Sequence, residues 1–155
     1  MSGVVLLWVG RQSPGPWEEL AGEYRRRISR LNAFSEVRVR PAEGRADDPG
    51  RALRAEAARL REYLKPGDTL MVLDERGREM TSVQLADWLS PRLSVGRVVL
   101  AIGSDLGTDE GLRREAREVW SLSRLTLPHL LVRVIVLEQV YRALDILAGG
   151  AYHRA

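Results

Sequence analysis

The sequence of 155 residues contains no cysteine, two histidines, one phenylalanine and one lysine. The absence of cysteine excludes disulfides, thiolate catalysis and the common cysteine zinc sites. His129 and His153 are too few for a histidine-rich metal site, so we expect no bound metal. No N-terminal export signal is recognisable, and the longest apolar stretch, 130–148, is interrupted by charged residues that argue against a membrane span. We therefore expect a cytoplasmic protein.

The composition favours one globular domain over residues 1–155, because 45% of the residues are apolar. The formal net charge is +3, and every basic residue except Lys65 is an arginine. This excess of positive charge indicates an anionic partner only weakly, since genome composition also enriches arginine. The arginines at 25–27 are better interpreted as a solvated helix face than as a docking patch.

Strand-like and helix-like patterns alternate along the whole chain. Such alternation predicts an α/β domain, with a mostly parallel sheet and helices on both faces. The polar, glycine-containing segment 41–49 is predicted to be a mobile loop. The predicted strands cover residues 4–9, 36–40, 69–73, 98–102 and a fifth from Trp120, and the predicted helices cover 17–31, 51–64, 82–93, 109–119 and 129–148.

Three predicted loops follow the later strands, at residues 74–77, 103–107 and 122–127. In parallel α/β sheets, ligands bind beyond the carboxyl ends of the strands. The chain contains neither G-x-G-x-x-G nor G-x-x-x-x-G-K-[ST], which counts against a dehydrogenase or a nucleoside triphosphatase. We therefore expect a ligand site in the second half of the chain that does not use a glycine-rich phosphate loop.

The stretch from Trp120 to Arg133, WSLSRLTLPHLLVR, combines a short strand, a loop of small polar residues and a helix that starts at Pro128. Aliphatic side chains there can sandwich a flat heterocycle while backbone N–H and C=O groups bind its edge. The alternative is an ordinary buried connection between a strand and a helix.

The last predicted helix is apolar on nearly all sides, which favours self-association as a twofold dimer. Arg133 falls on its apolar side and needs a partner, either an acidic residue at an interface or a ligand such as phosphate. His129, in the first turn, is either solvated or in contact with substrate. The end of the chain, Tyr152-His153-Arg154, is either a disordered tail or a group suited to handling RNA.

Several of these segments resemble one family. LTLPH with LVR, EQVYRA, the terminal YHR, and the LDERG and IGSDLG loops are similar to the bacterial 23S rRNA pseudouridine N3-methyltransferases of the SPOUT class. The resemblance covers essentially the whole chain. It implies a carboxyl-terminal trefoil knot, which periodicity cannot reveal. It also implies a homodimer, S-adenosylmethionine as cofactor, and 23S rRNA in the assembled ribosome as substrate.

The resemblance also implies roles for individual residues. His129 and Arg133 would bind substrate, and Tyr152, His153 and Arg154 would be catalytic. Ser104 departs from the family, which usually has a second glycine after Gly103, and its side chain puts the cofactor placement in doubt. The implied cofactor-binding residues are Leu73, Gly103, Leu122, Ser123, Arg124, Leu125, Thr126 and Leu127.

The expected reaction is displacement of a methyl group from a sulfonium by N3 of pseudouridine, which must first lose its proton. Arg154 or Arg133 would stabilise the anion, and either His153 or water would take the proton. One alternative is a non-enzymatic RNA-binding or ribosome-associated factor on the same fold, suggested by Ser104. Another is a small-molecule α/β enzyme, which the lack of a phosphate-binding glycine loop disfavours.

Overall fold

The computed structural model describes residues 2–154, in which five strands alternate with five helices. The elements are β1 (Gly3–Val9), α1 (Pro16–Leu31), β2 (Phe34–Val39), α2 (Pro49–Arg61), β3 (Thr69–Glu79), α3 (Ser82–Leu93), β4 (Arg97–Ile102), α4 (Glu110–Glu115), β5 (Glu118–Ser121) and α5 (His129–Leu147).

The strands form one sheet in the order β2-β1-β4-β3-β5, and every neighbouring pair is parallel. All seven residues of β1 are buried because helices cover both faces of the sheet. Val4, Leu6 and Trp8 face one apolar core, while the alternate residues of the strand face the other. The predicted α/β class is thereby confirmed.

The helices divide between the two faces. The core on the Trp8 side is closed by α1, α3 and α5, which supply Ile28, Leu89 and Leu137, all fully buried. The core on the opposite face contains Leu60 of α2 and Leu112 of α4. Only the loop from 122 to 128 separates β5 from α5, so the first turn of α5 lies at the carboxyl edge of the sheet, where the ligand site is predicted.

The prediction that β3 ends in a turn at 74–77 is wrong. The strand continues to Glu79, but Leu73 and Arg78 both align with Trp120, so the residues between them bulge out of the pairing with β5. A Cβ atom at Gly77 would lie 2.8 Å from the Trp120 nitrogen, so only glycine fits in this bulge. The turn-like sequence therefore marks an interruption of the pairing and not the end of the strand.

Two further differences have local causes. Helix α4 ends at Glu115 instead of 119, because Glu118 and Val119 are the first residues of β5. The predicted mobile loop at 41–49 lies outside helices and strands up to Asp48, but its backbone is tied to α2. The Ala42 N–H donates to Glu56 at 3.0 Å, and Arg45 also binds this carboxylate.

Within residues 2–154, no helix has the length and apolarity needed to cross a membrane.

Candidate active site

A cleft of about 550 Å³ opens at the bulge of β3 and at the carboxyl ends of β4 and β5. The bulge and the loops after β4 and β5 meet there, close to the edge at which a parallel sheet binds ligands. The predicted cofactor-binding residues line the cleft, except Arg124, which is exposed and lies outside the lining. The side chains and backbone that the structure brings together here include Leu73, Gly103, Leu122, Ser123, Leu125, Thr126 and Leu127.

Gly103 forms a tight corner in the cleft wall. A Cβ atom at this position would collide with the Gly107 carbonyl and lie 2.8 Å from Cγ2 of Thr108. The Gly107 N–H donates to the Ser104 carbonyl at 2.9 Å, and Gly107 has a positive φ of 96° that favours glycine. The loop after β4 is thus folded onto itself, which leaves its backbone at the cleft surface.

The Ser104 side chain is anchored on the far side of this wall. Its Oγ donates to Oε1 of Glu56 at 2.7 Å, and Glu56 is only 2% exposed. Arg45 forms a second bridge, because its guanidinium group contacts both Glu56 and the neighbouring Asp105. The hydroxyl group of Ser104, which the family glycine lacks, therefore binds a residue outside the cleft lining.

Asp74 joins two of the cleft loops. Its carboxylate accepts hydrogen bonds from the Thr108 hydroxyl and, at 2.9 Å, from the Arg76 N–H. Burial alone would raise the pKa of Asp74, but these hydrogen bonds and the Arg76 charge outweigh it and lower the pKa. The carboxylate is therefore ionised at neutral pH and holds the bulge of β3 against the loop after β4.

The third cleft loop, residues 122–127, is folded by its own serines. Ser121 Oγ donates to the Ser123 carbonyl at 3.0 Å, and Ser123 Oγ accepts from the Leu125 N–H at 3.0 Å. Leu125 is 71% exposed and faces the opening, while Leu122 packs against the core. Apolar side chains beside accessible backbone groups suit a flat heterocycle with a hydrogen-bonding edge.

His129 closes one end of the cleft. Its Nε2 atom is buried and has no hydrogen-bond partner within residues 2–154. Burial lowers the pKa of His129, although the Val9 backbone opposes this shift by favouring the charged form. The ring is therefore neutral at pH 7, with an unsatisfied buried nitrogen beside the cleft, while its other neighbour is the Trp8 ring at 6.0 Å.

Arg133 makes an ion pair, but within one chain instead of across an interface. Its guanidinium group donates to both oxygens of Glu36 at 2.7 and 2.8 Å and to Glu18 at 2.7 Å. It also stacks over the Trp8 ring, 4.3 Å from the centroid, and is only 4% exposed. Arg133 therefore lies behind the wall of the cleft and its charge is neutralised there.

The catalytic residues implied by the resemblance are not brought to this cleft by the same chain. The Tyr152 hydroxyl donates to Glu138 at 2.6 Å, and Arg142 contacts Nδ1 of His153 at 3.1 Å. At 1.5 Å per residue, Glu138 lies about 13 Å along α5 from His129. Arg154 is exposed. The tail is folded against the middle of α5, so it is ordered by contacts but distant from the cleft.

The sequence did not single out several side chains of the site, among them Glu56, Thr108 and Asp74, although it predicted that the segment 74–77 lies at the site. Their partners are distant in sequence, since Glu56 lies 48 residues from Ser104 and Asp74 lies 34 residues from Thr108. The one available signal was the position of Glu56 on the inward face of α2, where a charged residue needs a partner. Within residues 2–154, no group of three or more histidine, aspartate or glutamate side chains is arranged to hold a metal ion.

A family model described as "Predicted SPOUT methyltransferase" matches residues 3–153. The chain belongs to the SPOUT methyltransferase family. It is 43% identical over 150 residues to the "Ribosomal RNA large subunit methyltransferase H" of Gloeobacter violaceus, covering 97% of each chain. It is also 42% identical to the protein of the same name from Mesorhizobium japonicum, covering 95% of this chain and 96% of that one. The family resemblance read from the sequence motifs is thereby confirmed.

A solved structure shares the fold of this SPOUT protein. The probable methyltransferase from Bordetella pertussis Tohama I superposes with a TM-score of 0.59 at 16% identity, covering 92% of this chain and 96% of that one. The parallel sheet with the cleft at its carboxyl edge is therefore a SPOUT methyltransferase fold, and the geometry above describes how this chain builds it.

Proposed function

We propose that this SPOUT protein transfers a methyl group from S-adenosylmethionine to large-subunit ribosomal RNA, at N3 of a pseudouridine of 23S rRNA in the assembled ribosome. The observation that carries the proposal is the cleft built by the three late loops, in a chain that aligns end to end with relatives named for rRNA methylation. A ribosomal substrate places the reaction in the cytoplasm.

The cleft fits the proposed cofactor. Leu73, Leu122 and Leu127 supply apolar walls for an adenine ring, and the folded Gly103–Gly107 backbone leaves room where any side chain at Gly103 would collide. When bound, S-adenosylmethionine supplies an electrophilic methyl group on a positively charged sulfur. The trefoil knot implied by the resemblance belongs to the same proposal.

A homodimer would complete the site. The tail of one chain lies against the middle of α5, too far along the helix to reach the cleft of the same chain. Trp17, Leu20 and Leu31 of α1 are 37%, 45% and 40% exposed and share one side of that helix, so they form an apolar surface suited to a second copy. A twofold arrangement of this kind would place the partner's terminal residues at the cleft.

The tail residues then take distinct roles. Burial and the Glu138 carboxylate raise the pKa of Tyr152, so its hydroxyl remains protonated and fixes the tail instead of acting as a base. A guanidinium group only donates, so Nδ1 of His153 accepts from Arg142 and the neutral ring carries its proton on Nε2. In this arrangement His153 donates a hydrogen bond to the base, and the N3 proton leaves to water.

The exposed Arg154 is the cation available to stabilise the anionic base. Arg133 is already neutralised by two carboxylates, so it supports the wall of the cleft and does not supply free charge. His129, neutral and with a buried unsatisfied nitrogen, is placed to accept a hydrogen bond from a bound molecule at the end of the cleft.

The test combines calorimetry with methyl transfer. Wild-type protein should bind S-adenosylmethionine and methylate intact ribosomes from a strain that lacks this enzyme, with mass mapping locating the product on one pseudouridine. Leu125→Ala should lower cofactor affinity by about tenfold through lost contact area, with less than about 0.5 kcal/mol change in stability. Exposed Val95 lies outside the cleft lining, so Val95→Ala serves as the matched control.

The variant His153→Ala tests methyl transfer separately from cofactor binding, because it should reduce methylation without abolishing the binding of S-adenosylmethionine. Unchanged turnover would remove His153 from the mechanism. Failure of the wild-type protein to bind S-adenosylmethionine would contradict the enzymatic function as a whole and revive the RNA-binding factor.

A further inference from the structure

A second cavity, of about 800 Å³, lies between α1 and β2 and is not part of the cofactor cleft. Its lining contains five arginines and two glutamates, an excess of three positive charges. We name it the α1–β2 groove and define it by Trp8, Arg26, Arg30, Phe34, Arg38 and Arg133.

The floor of the groove is electrically neutral. Arg133 engages both oxygens of Glu36 and one oxygen of Glu18, while Arg25 binds Glu36 at 2.8 Å and the other oxygen of Glu18 at 3.2 Å. Two arginines thus occupy all four carboxylate oxygens. The two glutamates are not available to neutralise any further cation in the groove.

The rim carries the excess charge. Arg30 and Arg38 are exposed, and within residues 2–154 neither has a carboxylate within ion-pair distance. The Arg38 guanidinium donates to the Gly10 carbonyl at 3.3 Å. Arg26 pairs with Glu23 at an exposed position outside the groove. Arg30 and Arg38 therefore supply two guanidinium groups without a carboxylate partner in residues 2–154, on one side of a cavity whose acidic residues are already occupied.

The groove shares a wall with the cofactor cleft. Trp8 lines the groove, His129 lines the cleft, and their ring centroids are 6.0 Å apart. The groove also faces away from the proposed dimer surface. At 100° per residue, Gly22 and Arg26 lie on the opposite side of α1 from Leu20 and Leu31, so the groove stays open when a second copy covers the apolar side.

We propose that the α1–β2 groove binds the sugar-phosphate backbone of the ribosomal RNA next to the nucleotide in the cleft, an inference that rests on the proposed function. Guanidinium groups bind phosphate oxygens in a two-point geometry, and the half-buried Phe34 ring adds an apolar surface beside them. The three arginines at 25–27 do not form one surface, because their side chains diverge. Arg25 belongs to the floor, Arg26 belongs to the rim, and Arg27 lies over the Tyr24 ring on another side of the helix.

The test compares two double charge reversals. Arg30→Glu with Arg38→Glu changes the groove, and Arg51→Glu with Arg54→Glu makes the same change in net charge on exposed residues of α2, on the other face of the sheet. Binding is measured by fluorescence anisotropy with an oligouridylate of about 20 nucleotides over a range of KCl concentrations, and by cosedimentation with intact ribosomes. Calorimetry with S-adenosylmethionine reports whether the cofactor cleft is intact.

The groove variant should bind both RNA probes at least about tenfold more weakly. The slope of its log Kd against log[KCl] should be smaller than that of the wild type by about 1.4, the value for two lost phosphate contacts on a single strand. Its affinity for S-adenosylmethionine should be unchanged, and the α2 control should bind RNA like the wild type. The calorimetric measurement with S-adenosylmethionine separates this inference from the proposed function. The proposed function fails only if the wild-type protein binds no cofactor or transfers no methyl group.

Three outcomes would overturn the groove proposal. Equal weakening in both double variants would show a general effect of net charge. Wild-type RNA affinity in the groove variant would show that these arginines do not touch RNA. Loss of ribosome binding with unchanged oligouridylate binding would point to a ribosomal protein as the partner.

Discussion

The hydrogen bond from Ser104 to Glu56 offers the sharpest test of how the cofactor loop is held. Oε1 of Glu56 accepts from Ser104 Oγ and from no other group in residues 2–154, whereas Oε2 is bound by Ala42 and Arg45. Ser104→Ala therefore leaves one oxygen of a carboxylate that is only 2% exposed without a donor. Ser104→Gly, which restores the residue usual in the family, removes the same donor.

The expected cost follows from the burial and charge of the acceptor. A hydrogen bond to a charged group contributes about 1.5–3 kcal/mol, so Ser104→Ala should lower the free energy of unfolding by about 2 kcal/mol. Ser104→Gly should cost about 0.5–1 kcal/mol more, because glycine gains more freedom in the unfolded chain. For a domain of this size, the alanine variant should melt about 4–8 °C lower.

Urea unfolding followed by circular dichroism, at a fixed protomer concentration, measures this cost. Ser94→Ala is the matched control, since the exposed Ser94 hydroxyl donates to the Pro91 carbonyl and its loss should change stability by less than about 0.5 kcal/mol. Glu56→Gln combined with Ser104→Ala should give a smaller loss than the sum of the single variants. A Ser104→Ala protein as stable as the wild type would refute the view that Glu56 anchors the loop.

Two other predictions concern the wall between the cavities. Arg133→Met should lower the free energy of unfolding by about 3 kcal/mol in urea titrations, because Glu18 and Glu36 would then keep only Arg25 as partner. A loss below about 1 kcal/mol would contradict a structural role for these ion pairs. Burial lowers the pKa of His129, so its contribution to stability is complete above the unfolded value of about 6.5 and declines as the pH falls through that value. Melting temperatures measured from pH 7.5 down to about 5 should fall more steeply for the wild type than for His129→Gln, and parallel curves would show that His129 does not titrate as its burial requires.

The local patterns of the sequence were sufficient for most of the fold. The continuous apolar run of β1 and the three- and four-residue spacing in α1 predicted those elements correctly, because each reports on burial along a single element. The proline at the start of α5 and the small polar loop before it also predicted the cleft wall at 122–127. These features depend on residues that are close in the sequence, so periodicity and turn-forming residues are enough to predict them.

Pairings between distant segments were not predictable in the same way. The bulge in β3 depends on its register with Trp120, and the partners of Arg133 lie 97 and 115 residues away. The α1–β2 groove likewise depends on which carboxylates the arginines find in three dimensions. The arginine run at 25–27 therefore showed that charge was present but not which guanidinium groups remained available.

The order of the strands has a consequence for the synthesis of this enzyme. Strand β1, which lies between β2 and β4 in the sheet, leaves the ribosomal exit tunnel early, but β4 begins only at Arg97, and the cleft needs β5 and α5 as well. A nascent chain therefore exposes one long edge of its most apolar strand until more than half of the protein has been made. The cleft at the carboxyl edge of the sheet likewise forms only after the chain has been made as far as α5.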